Sequence, residues 1–192
     1  MKEFVRLYAA CATALVAAFG SRALSFYGVN FGLKLPTGER HVRNADGDLA
    51  ERTLQPGTGT TDLLLGGYYS HVLPLAHSSW FVHGLWQSAL NSREDYKPGR
   101  RITLDVGYRY EATDSIGFML QLNALYRSKD AGAQAEPDDT GGKFLFLSPG
   151  VSYAVTKSTQ LYAFVQKPLY QHVNGVQLTA DWSAVIGVSA RF

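Results

Sequence analysis

From Leu178 to the end of the chain every even position is apolar (Leu178, Ala180, Trp182, Ala184, Ile186, Val188, Ala190, Phe192), and the odd positions are mostly small or polar. A period of two is that of an extended strand with one apolar and one polar face. A helix is excluded there, because its apolar positions return every three to four residues. The alternation ends on an aromatic residue.

Seven more segments of this kind recur between turn signals, and none has a sustained helical period. They are LSFYGVNFGLKL, TDLLLGGYYSHVL, SSWFVHGLWQSAL, RRITLDVGYRY, SIGFMLQLNALYR, GKFLFLSPGVSYAV and TQLYAFVQKPLYQ. In the fourth, Ile102, Leu104, Val106, Tyr108 and Tyr110 oppose Thr103, Asp105, Gly107 and Arg109. Proline takes a hydrogen bond out of a ladder, so Pro149 and Pro168 are expected near strand ends or bulges. The expected class is all-β, an antiparallel up-and-down barrel of about eight strands.

Connection lengths alternate. Long polar connections (PTGERHVRNADGDLAERTLQPGTGT, NSREDYKPG, SKDAGAQAEPDDTG, QHVNG) follow the odd segments, and short ones (PLAH, EATD, TKS) follow the even ones. Long loops on one rim and tight turns on the other are the plan of a transmembrane barrel of the Gram-negative outer membrane, with both termini on the periplasmic side.

The start of the chain agrees. MKEFVR carries Lys2 and Arg6, LYAACATALVAAFG is an apolar run, and Ser21 and Ala23 are small residues at the −3 and −1 positions of a cleavage site. Residues 1–23 are expected to be a secretory signal and 24–192 the barrel. The apolar run is short for a membrane-spanning helix. The single cysteine, Cys11, falls within the signal; a lipoprotein reading of LYAAC is weaker because the apolar run continues past it. The whole chain has 18 basic and 16 acidic residues. Losing Lys2, Arg6, Arg22 and Glu3 leaves these balanced, so no global basic surface for nucleic acid is expected.

In lipid the apolar face of each strand points outward and the polar face into the lumen, and closure satisfies the backbone. Lys34, His83, Gln87, Asp105, Arg109, Gln121, Asn123, Arg127 and Asp181 are the candidate lumen residues, as a plug or a solute path. Asp105, Arg109, Arg127 and Asp181 are expected to pair across a lumen that eight strands make narrow. Trp182 and Phe192 stand ten residues apart on the outward face, roughly 25 Å of height at a tilt near 40°, the separation of two aromatic girdles. Phe192 is also the expected signal to the outer-membrane assembly machinery. The competing fold is a soluble lipocalin-like barrel with its apolar face inward, where Phe192 would be a core residue.

The segments GLKLPTG, QPGTGTTDLLLGGYYS, YKPGRRITLDVGYRY, DTGGKFLFLSPGVSYAVT and KPLYQHVNGVQL, with the terminal aromatic, resemble the family known for the MetA-pathway of phenol degradation, whose members are outer-membrane barrels often called transporters. The resemblance implies uptake or binding of aromatic or other hydrophobic small molecules. Family members generally carry further strands before GLKLPTG, whereas here the signal leads into it almost directly. Either an eight-stranded version or a shortened one is expected.

Other chemistry is poorly supported. His77, Ser78 and Ser79 are similar to the His-x-Ser pair of lipid A deacylases, but fall on the periplasmic rim, away from outer-leaflet substrate. His71, His83 and His172 lack metal-ligand spacing. Asp46 and Asp48 begin a calcium-loop pattern that does not continue, and the glycines of QPGTGTTD open no helix for phosphate. No enzyme activity and no cofactor are expected. Two readings remain: transport or binding of hydrophobic small molecules, and a non-catalytic structural or surface-contact barrel with a plugged lumen.

Overall fold

Period-two sequences become strands whose pairing partner is the next segment along the chain, because short connections favour antiparallel neighbours. The computed structural model describes residues 20–22, 24–43, 47–49 and 55–190. Within them run β1 (Gly20–Arg22), β2 (Ser25–Lys34), β3 (Asp62–Leu73), β4 (Ser78–Ala89), β5 (Arg101–Glu111), β6 (Ile116–Arg127), β7 (Gly142–Ala154), β8 (Thr159–Val173) and β9 (Ser183–Ala190). All form one antiparallel sheet in chain order. The eight expected segments are β2–β9. β1 is a three-residue arm folded back on Ser25–Tyr27, drawn from the end of the expected signal. The rest of that signal, with Cys11, lies outside the described residues, as does Phe192.

The two rims differ as the connection lengths require. Short turns at 74–77, 112–115 and 155–158 join β3–β4, β5–β6 and β7–β8, while the other connections are long. Thr113 and Thr156 build two of the turns alike: each hydroxyl accepts from the backbone two and three residues on, Ser115 and Ile116 in one, Ser158 and Thr159 in the other. In the third, Pro74–Ala76 forms a single 3-10 turn closed by His77 in the left-handed region.

Both prolines interrupt ladders. Pro168 adjoins a bulge where β7 and β8 shift register between Leu145 and Phe146, as expected. Pro149 sits inside β7, where the β7–β8 partners skip from Leu147↔Lys167 to Gly150↔Phe164.

The last strand is shorter than the sequence suggests. Alternation runs back to Leu178, but β9 begins at Ser183. The residues before it are tied elsewhere: Val176 N–H donates to Asp139 Oδ1 (2.9 Å), Gln177 Nε2 to the Gly141 carbonyl (2.8 Å), and Gln171 Nε2 to the Ala180 carbonyl (3.0 Å). Leu178 is therefore 99% exposed in a loop.

Burial is inverted from that of a soluble domain. Among the described residues the buried apolar side chains are Ala89, Tyr96 and Ala135, while Ile102, Leu104, Val106, Tyr108 and Tyr110, the whole apolar face of β5, are exposed. No helix among the described residues is long and apolar enough to cross a membrane.

The sheet curls until Val72 on β3 and Ser189 on β9 line one cavity of about 580 Å³. This is consistent with an up-and-down barrel, although among the described residues no ladder joins β9 to β2. Register partners followed from Ser25 lead through His71, Trp80, Tyr108 and Leu120 to Pro149; across the gap in the β7–β8 ladder the flanking pairs Leu147↔Lys167 and Gly150↔Phe164 set Pro149 level with Val165, which pairs with Ala184. A ladder overlapping all of β2 with the end of the chain would instead set Ser25 opposite position 192. That stagger, about eight residues, is the shear a small barrel needs.

Candidate functional site

Register assigns each side chain to a face. Lys34, Asp62, Gln87, Arg101 and Arg127 share the inner face with Asn30, His83, Asp105, Asn123, Ser148 and Gln166. At mid-height these residues form a hydrogen-bonded belt around the wall. Asn30 Nδ2 donates to His83 Nε2 (3.1 Å), and His83 Nδ1 stands 3.5 Å from Asp105 Oδ2. Asn123 Nδ2 donates to Asp105 Oδ1 (2.8 Å) and Ser148 Oγ to Asn123 Oδ1 (2.6 Å). Longer contacts from Gln166 to Asn123 and Ser148, and from Ser183 to Gln166, carry the belt to β9. Only β3 among the long strands gives it no side chain. There Gly66 lies opposite Asn30, and any Cβ would come within 2.7 Å of the Gly84 carbonyl.

Two acidic nodes order the long-loop rim. Asp62, with 3% of its side chain exposed, pairs with Lys34 (2.7 Å) and accepts from Thr60 Oγ1 (2.7 Å) and Gln87 Nε2 (2.6 Å). Asp130, with its side chain wholly buried, takes both oxygens to Arg127 Nη2 (2.9 and 2.8 Å). The Tyr96 hydroxyl (2.7 Å) and Gly99 N–H (2.7 Å) complete that node and hold the β4–β5 loop against the β6–β7 loop. Charge-assisted bonds of this kind are the stronger class.

The expected lumen charges thus meet neighbours along the wall instead of one another across it. Arg109 pairs with Glu111 on its own strand, Arg127 with Asp130, and Asp105 with His83 and Asn123. Asp181 is exposed in the loop before β9 and does not join the inner face, because β9 starts two residues later than its position requires. Lys34, His83, Gln87 and Asn123 stand where alternation places them, and Gln121 lies on the same face between Gly107 and Ser148. Trp182, expected on the outward face, also precedes β9 and takes no face from the ladder; it is 65% exposed and borders a cavity with Phe144, Phe146 and Gln166 of the inner face.

Sequence reasoning missed Asn30, Asp62, Tyr96, Asp130, Ser148 and Gln166 as site residues. Asp130 could have been found as the acid three residues after Arg127; the others need the register. It also missed four inner-face pairs in which an aromatic ring lies over the glycine opposite: Tyr68 on Gly28, Phe81 on Gly107, Phe164 on Gly150 and Tyr162 on Gly187. The rings lie along the wall because the glycines leave them room.

The outer face carries aromatic side chains near both rims. Toward the short turns stand Tyr27 beside Tyr69, Trp80 beside Tyr108, and Tyr110 beside Phe118, with the Tyr69 and Trp80 rings 5.2 Å apart. Toward the long loops stand Trp86, Tyr126 and Tyr170, and the space between holds mainly leucines, valines and isoleucines, with Lys167 among them opposite Leu147.

The cavity near the short turns is lined by His77, Ser78, Ser79, Arg109 and Glu111; the Ser78 hydroxyl is buried without a partner. Among the described residues no group of three acidic, histidine or cysteine side chains could hold a metal. Asp46 lies outside them and Asp48 is exposed.

The family model described as Putative MetA-pathway of phenol degradation matches residues 13–180. No curated protein matches the chain.

Proposed function

Since the chain belongs to the MetA-pathway of phenol degradation family, we propose that it is an outer-membrane β-barrel that binds or passes hydrophobic and aromatic small molecules, reached through a cleaved signal at residues 1–23. The observation that carries the membrane part is the outer face: a largely apolar band, interrupted by Lys167, bounded by aromatic side chains near both rims, on a sheet whose polar side chains bond to one another on the opposite face. Lipid is the solvent that rewards this arrangement, since water would leave that band as one large exposed patch. Outer-membrane lipid and the assembly machinery are its proposed partners, and the wall is read as non-catalytic.

The rings lying on the inner wall support the binding part, because they present apolar surface without crossing the lumen. The test is fractionation with native gels. The processed protein should float with outer membranes and migrate faster before boiling than after, and cells that make it should take up toluene faster than cells that do not. Recovery in the soluble periplasm would overturn the membrane reading, and equal uptake would overturn the transport reading.

The polar belt supports a second reading, a structural barrel with a closed lumen. The purified chain in a planar bilayer would then show no steady conductance, and toluene uptake would be unchanged.

A further inference from the structure

Among the described residues the strand ends at the long-loop rim carry three inward cations, and two are neutralised locally. Lys34 has Asp62, and Arg127 has Asp130. The third, Arg101, opposes Gln87 on one side and Arg127 on the other. It is exposed, lies near both acids, and makes no hydrogen bond or ion pair with a described residue. The acids are already engaged by others: Asp62 by Lys34, Thr60 and Gln87, Asp130 by Arg127, Tyr96 and Gly99. Two guanidiniums directly opposite on one face repel each other. An anion placed at Arg101 would relieve that repulsion.

The wall beneath has the opposite character. Two residues further in along the strands, the same face carries Leu85, Thr103, Leu125 and Phe144, and Phe146 stacks beside Phe144 with ring centroids 6.0 Å apart and planes 3° from parallel. At about 3.3 Å per residue the backbone positions of this apolar tier lie roughly 7 Å further along the strands than that of Arg101.

We propose that Arg101 and the tier of Leu85, Leu125, Phe144 and Phe146 form a binding site for small organic anions with an apolar body, the carboxylate held by the guanidinium fork and the body lying on the tier. The site rests on the proposed binding of hydrophobic small molecules and adds a charged end to that ligand class. Arginine suits the task because its planar fork matches a carboxylate bidentately and never loses its charge.

The test titrates the purified full chain in nanodiscs with benzoate, benzyl alcohol and acetate. Benzoate should bind at least about tenfold more tightly than either, the scale of one charge-assisted bond. Arg101→Gln should lose that advantage and keep benzyl alcohol binding, and Arg101→Lys should retain part of it. Benzyl alcohol bound as tightly as benzoate, or benzoate unaffected by Arg101→Gln, would overturn the site while leaving the broader function standing. Failure of benzoate and benzyl alcohol alike would overturn both. Should Arg101→Gln not insert, a benzoate affinity unchanged in Arg101→Lys would be the overturning result.

Discussion

Asn30 on β2 reaches over β3 to donate its amide to His83 Nε2 on β4, 3.1 Å away. An amide nitrogen cannot accept, so Nε2 carries no proton. The ring proton is then assigned to Nδ1, facing Asp105 Oδ2 at 3.5 Å. Gly66, opposite Asn30 on β3, puts no side chain between the two.

That contact should be measurable as a coupling. Removing either partner alone leaves the other short of a hydrogen bond on a wall with little water, so Asn30→Leu and His83→Leu should be non-additive by about 0.5–1.5 kcal/mol in urea unfolding from micelles. Additive losses would show that the two side chains do not meet.

Arg109 and Arg127, both on the inner face, should behave differently. Arg109 has Glu111, whose side chain is 44% exposed, so Arg109→Ala should cost less than about 1 kcal/mol. Asp130→Ala strands the Arg127 guanidinium, Tyr96 and a backbone N–H, and a loss of about 3–5 kcal/mol is expected. Limited proteolysis of the β4–β5 loop should quicken only in the second variant. Equal effects would refute the division between wall and rim.

Gly107→Ala should be costly for so small a change. The new methyl group would enter the space of the Phe81 ring, an overpacking cost of about 1–3 kcal/mol. Much of it should vanish when Phe81→Ala is already present, and unfolding midpoints of the four proteins would test this.

Closure makes a geometric prediction. In the ladder staggered by about eight residues, Tyr27 and Ala190 face each other on the outside of the seam. In the processed chain, which the proposed cleavage leaves without a native cysteine, Tyr27→Cys with Ala190→Cys should crosslink within one chain under mild oxidation, and Leu33→Cys with Ala190→Cys should not. Crosslinking of the second pair would mean another register.

The strands and their faces were legible because period two leaves no freedom: once Ile102 points outward, Asp105 must point inward. The start of β9 was not, since Leu178 and Ala180 continue the alternation while lying in a loop, where the Ala180 carbonyl accepts from the Gln171 side chain of β8 and not from a ladder. Charge partners were largely hidden too. Lys34 meets Asp62, a residue a whole loop away in the chain, only through the β2–β3 register. The expectation that Asp105, Arg109, Arg127 and Asp181 would meet across the lumen followed from face alone. Face gives direction and not height, and the nearest partner on the wall always stands closer.

A strand edge can hold one partner at a time. While Gly20–Arg22 pair with Ser25–Tyr27, those three residues of β2 cannot accept the end of the chain, which the full-overlap ladder would bring to the same place. The little hairpin and a full-overlap seam are therefore alternatives on that edge, and removal of residues 1–23, as proposed for the signal, would take Gly20–Arg22 away and leave the start of β2 free to be paired.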